Sequence, residues 1–206
     1  MTVRSATSFE QGIIRVPAVV LFATTEAALD ITDIILDQHD EQRRLFAFLR
    51  EIDRGDRDSL SAIWKRLQGL LDAHAEAEER FFYPRLLKEG SGASDASSAA
   101  DETRDAIEDH NKIRDAARSA DDHEVGTDPW LKAVCKADLE NSKHMAEEER
   151  QALADFRRSA SVEERHRLGV QFLAFVSGHL MGVKPVDKNP EAYVKDPQRE
   201  IETSEA

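Results

Sequence analysis

The chain has 206 residues, 41 acidic against 28 basic, for a formal net charge of −13. That length suits one domain with a sound core, and the charge argues against a nucleic-acid backbone or an anionic membrane as partner. The single cysteine, Cys135, excludes an internal disulfide and a cysteine-built zinc site, and it fits a cytoplasmic location.

The apolar run Val16 to Ala23 is too short to span a bilayer and reads as part of an N-terminal docking segment over residues 1–24. A composition rich in Ala, Leu, Glu and Arg favours helix from there on. The first helix is predicted over 25–52, with Ile31, Ile35, Leu45, Phe46 and Leu49 at helical spacing, and Asp53-Arg54-Gly55-Asp56 ends it. The second runs over 58–87, with Leu67, Leu70, Leu71, His74, Glu78 and Phe81 on one stripe. Gly90 to Ser98 is a flexible connector. The third helix spans 101–120, and a fourth starts at Asp128-Pro129 and reaches 158. A fifth, apolar at Phe172, Leu173, Phe175 and Val176, lies within 159–181, and the Pro-containing segment 182–206 reads as an extended or partly disordered acidic tail. Short connections favour antiparallel neighbours. The expected fold is therefore all-α: an up-down-up-down four-helix bundle over 25–158, with an additional C-terminal helix and the tail.

One phrase occurs twice. His74-Ala75-Glu76-Ala77-Glu78-Glu79-Arg80 matches His144-Met145-Ala146-Glu147-Glu148-Glu149-Arg150 as H-x-x-x-E-E-R. A second phrase, acid-x-H-[DN]-x-x-R, occurs at Asp37 to Arg43 and at Glu108 to Arg114; its His39 precedes His74 by 35 residues and its His110 precedes His144 by 34. The chain thus reads as two similar halves. A His and a Glu four apart share one helix face. One such pair is ordinary surface spacing. Two matched pairs with two matched single histidines, at one height of a bundle by residue count, read as a metal site, because a buried His/Glu stripe needs partners for its charge. His39, His74, His110 and His144 with Glu78 and Glu148 form a nitrogen/oxygen set that suits iron first, then manganese or zinc. Glu78 and Glu148 are the natural bridges, with two histidines to each metal. Glu79 and Glu149 point about 100° further round and are assigned to arginines outside the seam. Glu76 and Glu147 are taken as surface charges, Cys135 as a packing residue, Tyr83 as aromatic packing with a supporting or redox role behind the ligands as the alternative, His123 as solvated, and His166 and His179 as capping or packing groups.

The order H, H-x-x-x-E, H, H-x-x-x-E at His39, His74/Glu78, His110 and His144/Glu148 resembles the hemerythrin-like (HHE) cation-binding domains. The phrase Glu78 to Pro84 is also similar to that family's second-helix ending. The resemblance implies a bundle holding two iron ions, oxo- or hydroxo-bridged and joined by two carboxylates. The oxygen-carrying members have a further His four residues after the third-helix one, where this chain has Arg114. They have an Asp five residues after the fourth-helix His, whereas Glu148 follows His144 by four. The implied site is nearly symmetric, which weakens the case for reversible oxygen storage. The expected function is catalase-like decomposition of hydrogen peroxide; the alternative is oxygen, nitric oxide or iron binding or sensing without turnover. Partners are then a small ligand such as hydrogen peroxide, dioxygen or nitric oxide, with no nucleic acid and no membrane, in a monomer or small homo-oligomer.

Overall fold

The computed structural model describes residues 29–93 and 98–205; the docking segment expected at 1–24 and the middle of the Gly/Ser connector lie outside these. Every regular element among the described residues is a helix. Helix α1 is Ile31–Glu51 and α2 is Arg57–Ala77; α2 continues through a π-helical turn, Glu78–Phe82, into α3, Tyr83–Glu89. Then come α4, Ala99–Asp121, and α5, Asp128–Arg150. Helix α6 is Ala152–Ser159 and α7 is Val162–Gly178, followed by α8, Pro190–Lys195, and α9, Pro197–Glu205.

The starts are set by short polar side chains that accept from otherwise unpaired backbone N–H groups. Asp30 caps Thr32, Asp56 caps Ser59, and Ser98 with Asp101 forms a reciprocal capping box. On α5 the cap position is Thr127, one residue before the predicted Asp128, with Pro129 inside the first turn. The fourth helix does not run unbroken to 158: Gln151, at φ −107° and ψ −81°, re-aims α6.

The core falls into two apolar clusters. Ile31, Ile35, Ala77, Phe82, Ala106, Ile107, Leu153, Phe156 and Phe172 fill one end. Leu45, Phe46, Leu60, Trp64, Leu67, Leu71, Ile113, Trp130 and Val134 fill the other. Burying each large side chain contributes about 1.5–3 kcal/mol before entropy is set against it. The first four helical rods pass between the clusters in alternating directions, as the bundle topology requires. Each crosses from one to the other at a histidine: α1 at His39, α2 at His74, α4 at His110 and α5 at His144. Two greasy ends therefore enclose one polar layer.

Helix α7 packs along α1 and α2. Its exit is a tight turn in which Gly182 takes φ +87°, and a Cβ there would stand 2.9 Å from the Gly69 Cα of α2. The chain then returns along the bundle, and here the expectation of an extended or disordered tail is corrected. Residues 183–189 are irregular, but 190–195 and 197–205 are helical, α8 packs on α4, and α9 reaches the π turn. Pro190 and Pro197 each stand at the first position of a helix, where a missing N–H is no loss. Asn189 and Asp196 accept from Ala192 N and Arg199 N. Tyr193 and Ile201 anchor the segment in the first cluster. Prolines that looked like breakers are helix starters.

Candidate metal centre

The six side chains singled out in the sequence meet in the polar layer, and all are buried. His74 Nε2 lies 2.9 Å from Glu78 Oε1 and His39 Nε2 lies 3.9 Å from it, while His110 Nε2 is 3.2 Å from Glu78 Oε2. Glu78 thus turns one oxygen to each histidine pair. Glu148 Oε2 stands 3.3 Å from His39 Nε2 and 3.9 Å from His144 Nε2, on the opposite side. His110 Nε2 and His144 Nε2 face each other at 3.2 Å. Two donor groups, His39–His74–Glu78 and Glu78–His110–His144, each gather their ligating atoms closely enough for one cation.

The outer ring nitrogens decide what the inner ones offer. His39 Nδ1 donates to Glu149 Oε1 at 2.9 Å, and His110 Nδ1 donates to Glu79 Oε1 at 2.7 Å. Carboxylates only accept, so the proton sits on Nδ1 and the lone pair of a neutral ring points inward from Nε2. His74 Nδ1 donates likewise to the Gln38 amide oxygen at 2.8 Å. The same acids hold arginines: Arg43 reaches Glu149 Oε1 at 2.6 Å, and Arg114 reaches Glu79 Oε1 at 2.8 Å. The internal repeat is therefore a repeat of machinery. Each half sends its His to the other half's second Glu, and the Arg of the same phrase secures that Glu.

Four assignments are corrected. Glu79 does meet an arginine, but fully buried and on the back of His110 rather than outside the seam. Glu76 is buried too, held by Lys188 Nζ at 2.7 Å and by Arg80. Tyr83 is more than packing, because its hydroxyl donates to Glu148 Oε1 at 2.7 Å. In an α-helix, a residue five positions after Glu78 would point about 140° away. The π turn, in which Tyr83 N–H bonds Glu78 O, inserts one extra residue and swings Tyr83 back over the site. Cys135 is exposed on α5 rather than packed. His123 is exposed as expected, Glu147 is half-buried, and His166 and His179 face the Leu29 and Phe175 carbonyls.

Whether these residues fit a metal is tested by their inner atoms. His39 Nε2, His74 Nε2, Glu78 Oε1 and Oε2, and Glu148 Oε2 are all buried with no hydrogen-bond partner. Native cores scatter only a few such atoms per hundred residues. Five on atoms that point at one another, all of them good nitrogen or oxygen ligands, fit cations. Space is tight. One cavity of about 10 Å³ touches His74, His110, Asn141 and His144, and another of about 20 Å³ touches Asp109, His144, Glu147 and Glu148. Each is about the size of a water molecule.

Where no cation sits, protons take its place. Burial pulls His39 and His110 down, but the carboxylates of Glu148 and Glu149 beside one, and of Glu78 and Glu79 beside the other, outweigh it and raise both to about 9. Burial and the charge of His110 instead hold His144 well below its usual range. Burial, joined by the Glu78 charge, raises Glu148, and the same two influences, led by burial and with Glu148 added, push Tyr83 well above its usual range. A histidine raised from about 6.5 to about 9 stabilises the fold fully below pH ~6.5 and ceases to do so as pH climbs through ~9. Chelator-stripped protein is accordingly expected to lose urea resistance between pH 6.5 and 9, and the metal-loaded protein is not. A stripped protein whose urea midpoint stays level or rises across that window contradicts the arrangement.

A helical bundle that gathers histidines and carboxylates at mid-height, with their lone pairs turned inward, is by construction a metal-binding bundle. The model of the hemerythrin HHE cation binding domain matches residues 30–155, more than half of the chain, and the chain belongs to that family. No curated protein and no solved structure matches. No helix among the described residues is long and apolar enough to cross a membrane.

Proposed function

We propose that this hemerythrin-like chain holds two iron ions and decomposes hydrogen peroxide. His39 and His74 would serve one ion, His110 and His144 the other, with Glu78 and Glu148 shared between them. When bound, the irons would supply the electron exchange by which one peroxide is oxidised to dioxygen and a second is reduced to two waters.

The observation that carries this reading is the near-symmetry of the two ligand sets, two histidines to each side and the same acid and arginine behind one histidine of each. A carrier of dioxygen needs a one-sided site. Here the position that would supply the extra imidazole is Arg114, turned away onto Glu79, and each half has the same His–Glu–Arg arrangement. A redox partner of two oxygen atoms suits equal halves, and the water-sized cavities exclude bulky substrates. Converting two peroxides into dioxygen and water moves two protons from one molecule to the other. The Tyr83 hydroxyl, which donates to Glu148 Oε1 at 2.7 Å, would hold one beside the centre. The apolar clusters above and below keep bulk water out.

Iron-loaded protein given peroxide in an oxygen electrode is expected to evolve one dioxygen for every two peroxides consumed, with His74→Ala and Glu148→Ala slowed by at least about tenfold. Equal rates in all three proteins would reject the proposal. The second reading, sensing of oxygen, nitric oxide or iron without turnover, is favoured by the contact of the C-terminal segment with Glu79, and it predicts ligand binding with no oxygen evolved. The lone cysteine supports a cytoplasmic setting for either.

A further inference from the structure

The segment that returns from α7 ends in a buried ammonium. Lys188 is 2% exposed, and its Nζ sits between Glu76 Oε2, at 2.7 Å, and Glu79 Oε2. The backbone around it is gripped from both sides. Asn111 donates to Lys188 O at 2.8 Å and accepts from Lys188 N at 3.2 Å. Five residues on, the Tyr193 hydroxyl donates to the Glu79 carbonyl. Apart from the contact with Glu76, these bonds converge on Glu79 or on the helix turn that carries His110.

Glu79 is thereby held at both oxygens: Oε1 takes His110 and Arg114, and Oε2 takes Lys188. This matters because the terminal torsion of a glutamate is soft. A carboxylate fixed at one oxygen swings, and one fixed at both keeps its plane. The mate of Glu79 in the other half, Glu149, has His39 and Arg43 on Oε1 and is 27% exposed. Two equal ligand sets thus have unequal backing, and the inequality comes from the C-terminal segment. A lysine that merely neutralised buried acids would not need its main chain fastened beside His110.

We propose that Lys188, delivered by the returning C-terminal segment, is a positioning residue for the His110 side of the metal centre, so that docking of that segment and occupation of the site support each other. The proposal rests on the metal-binding reading above and adds a route by which the C-terminus feels the site. By linkage, whatever strengthens metal binding when the segment docks must also strengthen docking when metal binds.

The test is iron affinity and midpoint potential in the full chain, compared among the wild type, Lys188→Met, Lys188→Gln and Leu60→Ala. Met keeps the length of the side chain and removes its charge. Gln keeps a donor for one carboxylate and disturbs the fold less. Leu60 lies in the cluster away from the C-terminal segment, so its truncation lowers stability without touching Glu79. Lys188→Met is expected to bind iron roughly tenfold more weakly, with a lower midpoint potential, because a positive charge is lost behind His110. Lys188→Gln should weaken binding by less while lowering the potential about as much, since the same charge is lost, and Leu60→Ala should leave the potential unchanged. Wild-type affinity and potential in folded Lys188→Met and Lys188→Gln would overturn the proposal, as would an equal shift in Leu60→Ala. If Lys188→Met fails to fold by circular dichroism, Lys188→Gln decides. A wild-type chain that binds no metal would instead bring down the parent reading, and that arm alone reveals it.

Discussion

Glu78→Ala is expected to empty the centre of both metals at once. Among the described residues it is the one side chain whose two oxygens face both histidine pairs. Losing a terminal histidine leaves three donors around one position and the other position intact. Losing Glu78 removes an anionic donor from each and leaves four imidazoles with less charge to balance a pair of cations. Bound iron should fall from two per chain to below one. The thermal consequence should be large. A ligand present at a thousand times its Kd stabilises the folded chain by about 4 kcal/mol, and at this size each kcal/mol is worth about 2–4 °C. Metal loading should therefore raise the melting temperature of the wild type by roughly 10 °C and that of Glu78→Ala hardly at all. A metal-dependent rise of equal size in both proteins would contradict the bridging role.

The second large effect separates two residues that the repeat makes equivalent. Glu79→Ala and Glu149→Ala each delete the acceptor behind one histidine and the partner of one arginine. Glu79 is fully buried, with the side chains of Arg114 and Lys188 3% and 1% exposed beside it. Removing the acid strands Arg114 in the interior and leaves Lys188 with Glu76 alone, which costs about 3–5 kcal/mol. Glu149 is 27% exposed and Arg43 39% exposed. Water replaces the lost acid there, and the cost should be about 1 kcal/mol or less. Urea denaturation of the stripped proteins measures both. Equal destabilisation would mean that burial does not govern this network.

The six inward-facing residues were legible because helical spacing speaks directly to the bundle axis: His74 and Glu78, or His144 and Glu148, can be seen to share a face before any coordinates exist. The backing groups were encoded just as plainly, in the second Glu and the Arg of the repeated phrases, yet the wheel turned them away from the centre. The arginine partners follow from that placement, but the burial of Glu79 behind His110 does not. An imidazole reaches the axis with one nitrogen and the neighbouring helix with the other, so its partner must come from a residue off the seam. Tyr83 was hidden for another reason. A π turn changes which residues stack, and nothing in Glu78 to Phe82 declares one. The C-terminal segment was hidden by residue type, since Lys188, Pro190 and Pro197 are ordinary in a solvated tail. Only the anchor residues Tyr193 and Ile201 hinted that the tail folds back.

Two cations within one layer of histidine and glutamate would carry all of this chemistry. Its most direct test is metal analysis of the protein purified from iron-replete cells, with the optical spectrum recorded before and after peroxide. The account predicts close to two irons per chain and a near-ultraviolet iron absorption that changes when peroxide is added. Protein that is folded, carries no iron and takes up none on reconstitution would contradict it.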